Sequence, residues 1–117
     1  MTHESVSRKY RTPVKSEAQL EERVRDWAGD NGWKRKKMSS PGSKGTLDDY
    51  FLKGGRHVWI ELKFGKNTPS KLQWMEINDI REHGGQAFWC NTLEQVISIL
   101  TEDPEFTGMP PQHDWMM

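Results

Sequence analysis

The sequence has little of several features that mark large classes of protein. Its single cysteine, Cys90, excludes an internal disulfide and a cysteine-based zinc cluster. No apolar run approaches the roughly 20 residues that a membrane-spanning helix needs. The first residues contain no apolar segment of the kind found in secretory signals. We therefore expect a cytoplasmic protein that makes no membrane contact.

An overall charge of one sign is also missing, because 17 lysines and arginines balance 17 aspartates and glutamates. The balance hides an asymmetry, since residues 1–45 are net basic and residues 46–117 are net acidic. A basic first half can contact phosphates, and acidic residues in the second half can hold a metal ion. Ordinary variation in surface charge explains the asymmetry equally well.

The length of 117 residues predicts one domain, and the aromatic residues predict that it folds. Six tryptophans, four phenylalanines and two tyrosines are too many aromatics for a solvated coil. The hydrophobic pattern places the domain at residues 16–101. We expect a basic flexible arm at residues 1–15 and an irregular C-terminal tail at residues 102–117.

Hydrophobic periodicity and turn residues predict the order α-β-β-β-α-β-α. Ser16 is predicted to cap the first helix, and Thr68 the second, with Pro69 at its first helical position. The second and third strands form an antiparallel hairpin across Gly54–Gly55. A helix joins the third strand to the fourth, which is typical of a right-handed parallel crossover. The predicted fold is an α/β domain with a mixed central sheet flanked by helices.

The most informative side chains lie on the predicted hairpin. Asp48 opens one strand, and Glu61 and Lys63 share a side of its partner because side chains alternate along a strand. One interpretation is a structural ion pair. The other is a hydrolytic site, since Mg²⁺ prefers one or two carboxylates plus other oxygen ligands, here including the Leu62 backbone carbonyl. Lys63 would then orient the attacking water and offset charge on the phosphorane.

Four segments together resemble a known nuclease family. They are Gly45-Thr46-Leu47-Asp48, Trp59-Ile60-Glu61-Leu62-Lys63, Leu72-Gln73 and Gly84-Gly85. In this order they resemble the VRR-NUC branch of the PD-(D/E)-x-K nuclease superfamily, whose members have Gly-x-Pro-Asp, then Glu-x-Lys, then a helical glutamine and a glycine before the next strand. Leu47 stands where the family has proline. The resemblance implies a restriction-endonuclease-like αβββαβ core.

The resemblance also implies an endonuclease that hydrolyses DNA phosphodiester bonds with Mg²⁺ or Mn²⁺. It assigns the metal ligands to Asp48, Glu61 and the Leu62 carbonyl, and the catalytic lysine to Lys63. Gln73 matches the family glutamine, which can hydrogen-bond the lysine or the scissile phosphate. Glu17 matches an acid on the first helix that holds a water or a second metal ion.

Two of these assignments stay open, and so does the activity itself. Asp49 would replace Asp48 after a register shift of one residue. Glu21 lies one turn after Glu17 on the same stripe and is the alternative first-helix acid. A non-catalytic nucleic-acid-binding module of the same fold is the alternative function, although the intact Asp, Glu-x-Lys and Gln set argues against it.

A basic segment supports a nucleic-acid partner. Phosphates are predicted to contact Lys34, Arg35, Lys36 and Lys37, and Trp33 could stack on a base. A solvated edge strand protected by its charge explains the same segment. The loop at residues 65–68 has one glycine but lacks the second glycine of a phosphate loop, so we expect no nucleotide cofactor.

The predicted substrate and assembly follow from the small size. One core offers one site, so cutting a four-way junction requires two copies, and we expect a homodimer that prefers branched to linear duplex DNA. The resemblance implies the same assembly, because small stand-alone members of the family tend to act as dimers on branched DNA. Such small domains resemble those that bacteriophages encode, which implies the host cytoplasm as the location. Apolar residues left for the interface are Trp74, Met75, Phe106, Met109, Trp115 and Met116.

Overall fold

The chain order of helices and strands is the predicted one. The computed structural model describes residue 10 and residues 13–39, 42, 44–102 and 109–113. Its elements are α1 (Glu17–Asp30), β1 (Lys34–Lys37), β2 (Asp49–Lys53), β3 (Arg56–Leu62), α2 (Lys71–Glu82), β4 (Gln86–Cys90) and α3 (Leu93–Thr101). None of the described helices is long and apolar enough to cross a membrane.

A hydroxyl side chain caps the first turn of each helix. Ser16 caps α1 as the sequence predicts, and Thr92 caps α3, each accepting a backbone N–H bond from the third helical residue. The predicted start of α2 is wrong by two residues. Ser70, not Thr68, is its cap, and Gln73 completes a capping box by accepting the Ser70 backbone N–H at 2.9 Å.

The four strands form one mixed sheet in the order β1-β2-β3-β4. The pairs β1–β2 and β2–β3 are antiparallel, and β3–β4 is parallel, with α2 in the crossover. Gly54 and Gly55 both have positive φ in the hairpin between β2 and β3. Gly85 precedes β4, where a Cβ would come within 2.5 Å of the Ile80 side chain. The predicted α/β architecture is confirmed.

Each face of the sheet packs on its own core. Helices α1 and α3 cover the face that carries Phe51, Val58 and Ile60. Helix α2 covers part of the opposite face, where a smaller core consists of Leu47, Trp74, Ile77, Ala87 and Trp89. Trp33 is buried in the first core and Trp74 in the second. These two tryptophans are therefore core residues, and the predictions of a base contact and an interface residue for them are wrong.

Both terminal segments contact the domain where they are described. Tyr10, in the predicted flexible arm, is buried in the first core, and Met109 packs against the same core. The Gln112 side chain accepts from the Trp89 backbone N–H and donates to the Trp89 carbonyl, at 3.1 and 2.9 Å. Its amide thereby pairs with the outer edge of β4, which blocks unwanted strand pairing. Of the other predicted interface residues, Phe106, Trp115 and Met116 lie outside the described residues.

Candidate active site

The register between β2 and β3 brings Asp48 and Glu61 together. Asp49 pairs with Ile60, so Asp48, just before β2, lies opposite Glu61. The Asp48 backbone N–H donates to Glu61 Oε1 at 3.1 Å, and the Leu62 backbone N–H donates to Asp48 Oδ2 at 3.0 Å. The backbone N–H of Asp48 thus holds the Glu61 carboxylate, and the backbone N–H of Leu62 holds the Asp48 carboxylate.

Lys63 and Gln73 meet at the second oxygen of Glu61. Lys63 Nζ lies 3.3 Å from Glu61 Oε2, and Gln73 Nε2 donates to the same oxygen at 3.1 Å. The Gln73 carbonyl oxygen is already engaged by the Ser70 backbone N–H, which fixes the orientation of the amide. The start of α2 therefore aims a donor at Glu61. The resemblance implied that Gln73 bonds the lysine or a phosphate, and its observed partner is Glu61.

The electrostatics of the cluster disfavour an ionised Glu61. Glu61 is only 2% exposed, and burial raises its pKa to about 8, with the nearby Asp48 carboxylate contributing in the same direction. Lys63 opposes this rise without cancelling it. A divalent cation between the carboxylates would favour the ionised form and relieve their repulsion.

The donor set fits a hard divalent cation. The described residues contain no group of three or more His, Cys, Asp or Glu side chains that could form a closed metal site. Two carboxylates plus the Leu62 backbone carbonyl match Mg²⁺ or Mn²⁺, which usually keep several waters and bind substrate phosphate. Ser39, in the loop after β1, donates its hydroxyl to Asp48 Oδ1 at 2.9 Å. No sequence signal marked this contact.

Comparison with solved structures identifies the fold. A structure described as a VRR_NUC domain superimposes with a TM-score of 0.66 and 21% identity, covering 77% of this chain and 99% of that one. The chain has the VRR_NUC fold. Hjc, a Holliday junction resolvase from Archaeoglobus fulgidus, superimposes with a TM-score of 0.52 and 16% identity, covering 64% and 67% of the two chains. No family model and no curated protein matches the sequence.

The first-helix acids form no hydrogen bond or ion pair with the carboxylate pair of this VRR_NUC fold. Glu17 is exposed in the first turn of α1, and no hydrogen bond or ion pair joins it to Asp48, Glu61 or Lys63. Glu21 forms an ion pair with Lys37 at 3.2 Å. The role of Glu17, which the resemblance gives as holding a water or a second metal ion, therefore remains a prediction.

Asp49 lies on the opposite face of the sheet from Asp48. It is fully buried, and Arg35 Nε donates to its Oδ1 at 2.7 Å. Its Oδ2 has no hydrogen-bond partner, and burial raises its pKa to about 6 against the opposing effect of Arg35. In this geometry Asp48, not Asp49, faces Glu61.

The same alternation divides the basic segment into two pairs. Lys34 and Lys36 are exposed and lie opposite Leu52 and Tyr50, on the face of the sheet that carries Asp48. Arg35 and Lys37 lie on the other face, where acidic partners engage them. Arg35 is thus a structural partner of a buried acid, which corrects its predicted role as a phosphate contact.

Replacing Arg35 with methionine should destabilise the fold, because it leaves the buried Asp49 carboxylate without a cation. We expect a loss of about 3 kcal/mol in the free energy of unfolding at pH 8. The loss should be smaller at pH 5. Without Arg35 the pKa of Asp49 rises above about 6, so at pH 5 Asp49 is protonated in the folded variant. The fold then no longer has to bury an unpaired carboxylate charge. Urea unfolding at both pH values measures this.

Lys37→Met is the matched control, since it removes a cation from an exposed ion pair on the same strand. It should cost no more than about 1 kcal/mol at either pH. Equal small losses for both variants would show that the Arg35–Asp49 pair does not stabilise the fold.

Proposed function

We propose that this protein is a Mg²⁺- or Mn²⁺-dependent endonuclease that hydrolyses DNA phosphodiester bonds and prefers branched, junction-like substrates. The observation that carries the proposal is the contact cluster of Asp48, Glu61, Lys63 and Gln73 on a VRR_NUC fold. The Hjc neighbour, whose title names it a Holliday junction resolvase, supports the branched substrate. The location that goes with this proposal is the cytoplasm, or the host cytoplasm for a phage-encoded enzyme.

Each side chain of the cluster has a distinct role in the proposal. Asp48, Glu61 and the Leu62 carbonyl would hold the cation, which supplies Lewis-acid activation and a more acidic water when bound. Lys63 places its ammonium beside Glu61, where it orients the nucleophilic water and offsets charge that develops on the phosphorane. Gln73 holds the Glu61 carboxylate in place from the first turn of α2.

Removing either carboxylate should abolish cleavage. Asp48→Asn and Glu61→Gln keep the side-chain shape but lose the charge that a divalent cation requires. We expect no cutting of a four-way junction with Mn²⁺ by either variant. Thermal stability of Asp48→Asn without metal should stay equal or rise, because the repulsion between the two acids is removed.

The neighbouring Asp49→Asn variant makes the same chemical change on the opposite face of the sheet. It should still cut at temperatures where it is folded. Cutting by Asp48→Asn at the parent rate would exclude this site. If the unaltered protein instead binds branched, nicked and linear DNA but cuts none of them, that result would favour the non-catalytic module.

Lys63→Ala should slow the chemical step more than it weakens binding. The proposed interaction stabilises the transition state, so the single-turnover rate should fall by roughly 10²-fold or more. DNA affinity measured without metal should change little. Lys66→Ala, in the exposed loop after β3, is the matched control. A large loss of affinity with an unchanged rate would make Lys63 a phosphate contact.

We also propose that the enzyme acts as a homodimer, since symmetric cutting of a junction requires two sites in a fixed relation. Among the described residues, Leu72 and Met75 on α2 are large apolar side chains about half exposed, at 47% and 49%. Light scattering at micromolar concentration should give about twice the 13.7 kDa chain mass. Leu72→Glu with Met75→Glu should lower it. A mass near 13.7 kDa for the unaltered protein would exclude the dimer and leave the nuclease proposal standing.

A further inference from the structure

One face of the first three strands carries exposed cations and aromatic rings. Opposite residues of an antiparallel pair share a face, so the register places Lys34, Leu52 and His57 in one cross-strand row. The next row contains Lys36, Tyr50 and Trp59. We call this surface the open face, and its six residues are Lys34, Lys36, Tyr50, Leu52, His57 and Trp59.

The open face leads directly to the candidate active site. The row after Tyr50 and Trp59 is Asp48 with Glu61, and successive rows on one face are two residues, or roughly 7 Å, apart. Helix α2 packs over β4 and the adjoining edge of Trp59, whereas Tyr50 is half-buried and His57 is exposed. A strand lying along the open face would therefore reach the carboxylates.

The three rings form a connected surface. The Tyr50 and Trp59 ring centroids lie 5.1 Å apart at an interplanar angle of 48°. The Tyr50 hydroxyl is hydrogen-bonded to His57 Nδ1, and their ring centroids are 5.7 Å apart. His57 is exposed and the other two rings are half-buried. These contacts hold the rings in place while part of their surface stays open to solvent.

The charge on the open face suits a phosphate backbone. Lys34 and Lys36 are exposed, and neither forms an ion pair with another described residue. The open face contains no acidic side chain before the row of Asp48 and Glu61. Cations beside exposed rings are the combination with which proteins hold single-stranded nucleic acid, since the rings stack on bases and the cations contact phosphates.

We propose that the open face binds an unpaired stretch of nucleic-acid strand, with bases stacked on Tyr50, His57 and Trp59 and phosphates on Lys34 and Lys36. This inference rests on the proposed nuclease function and specifies its substrate as DNA with unpaired bases next to the scissile phosphate. Bases within an intact duplex stack on one another, so their faces are closed to these rings. A branch point or a frayed end exposes them.

A second copy of this chain is the competing occupant, and the charges argue against it. A two-fold interface pairs one patch with itself. The open face has two lysines and no acidic residue of its own, so pairing it with itself would place like charges in one interface. A polyanionic strand has no such repulsion.

Binding of oligonucleotides without metal tests the inference apart from cleavage. Fluorescence anisotropy in EDTA compares a labelled thymidine 12-mer, an abasic strand of the same length and a duplex. We expect the thymidine strand to bind more tightly than the abasic strand. Tyr50→Ala should weaken thymidine binding by about 10-fold or more, the scale of one lost stacking contact, whereas Tyr50→Phe keeps the ring and should bind as before. Circular dichroism checks that both variants fold.

His57→Ala, at an exposed position, provides a second variant if Tyr50→Ala unfolds. It should also weaken binding of the thymidine strand and leave the abasic strand unchanged. Replacing Lys34 and Lys36 with alanine should reduce the salt slope by about 1.4, or roughly 0.7 for each lost phosphate contact. Lys15→Ala, an exposed lysine before α1, is the control and should leave the slope unchanged.

Two results would overturn the inference. One is equal affinity for the thymidine and abasic strands, with no change in affinity in any of these variants. This result would count against the inference even if the protein still cuts DNA. The other is a dimer that becomes monomeric in Tyr50→Ala with unchanged oligonucleotide affinity, which would make the open face an interface between copies. Loss of cleavage in Asp48→Asn with retained binding to the open face would leave both proposals standing.

Discussion

The antiparallel register of β2 on β3 places residue 48 opposite residue 61, and the candidate site depends on this alignment. Within it, backbone N–H groups of Asp48 and Leu62 hold the two carboxylates. A shift of one residue between these two strands would bring Asp49 opposite Glu61 and turn its side chain to the other face of the sheet. Such a shift is opposed on both faces of the sheet, because each strand would also move its apolar side chains out of a core.

Glu61 is where the stability of the fold and the proposed chemistry conflict. Burial and the Asp48 carboxylate favour its protonated form, whereas a cation site requires it ionised. Lys63 and Gln73 reduce the conflict by contacting one oxygen of the carboxylate. Gln73 also closes the first turn of α2, so the position of that helix and the geometry of the site depend on one side chain. A bound cation would stabilise the folded protein as well as the reaction.

Hydrophobic periodicity and turn residues predict the fold class, and strand alternation places Glu61 and Lys63 on one face, because these patterns lie within short segments. The start of α2 was missed because Thr68 and Ser70 are both good caps, and the choice depends on the contact of Gln73 with Glu61. Arg35 could not be separated from its lysine neighbours, since only the sheet register shows the buried Asp49 beside it. The pairing of Gln112 with β4 has no periodic signal at all.

A calorimetric titration of Mn²⁺ into the metal-free protein at pH 7 tests the central claim most directly. Titration in two buffers of different ionisation enthalpy also counts the protons released. The account predicts one ion per chain, with proton release because the cation ionises a Glu61 whose pKa lies near 8. Asp48→Asn should lose this binding and Asp49→Asn should keep it. Equal Mn²⁺ binding by the unaltered protein and Asp48→Asn, or binding lost in Asp49→Asn alone, would contradict the account.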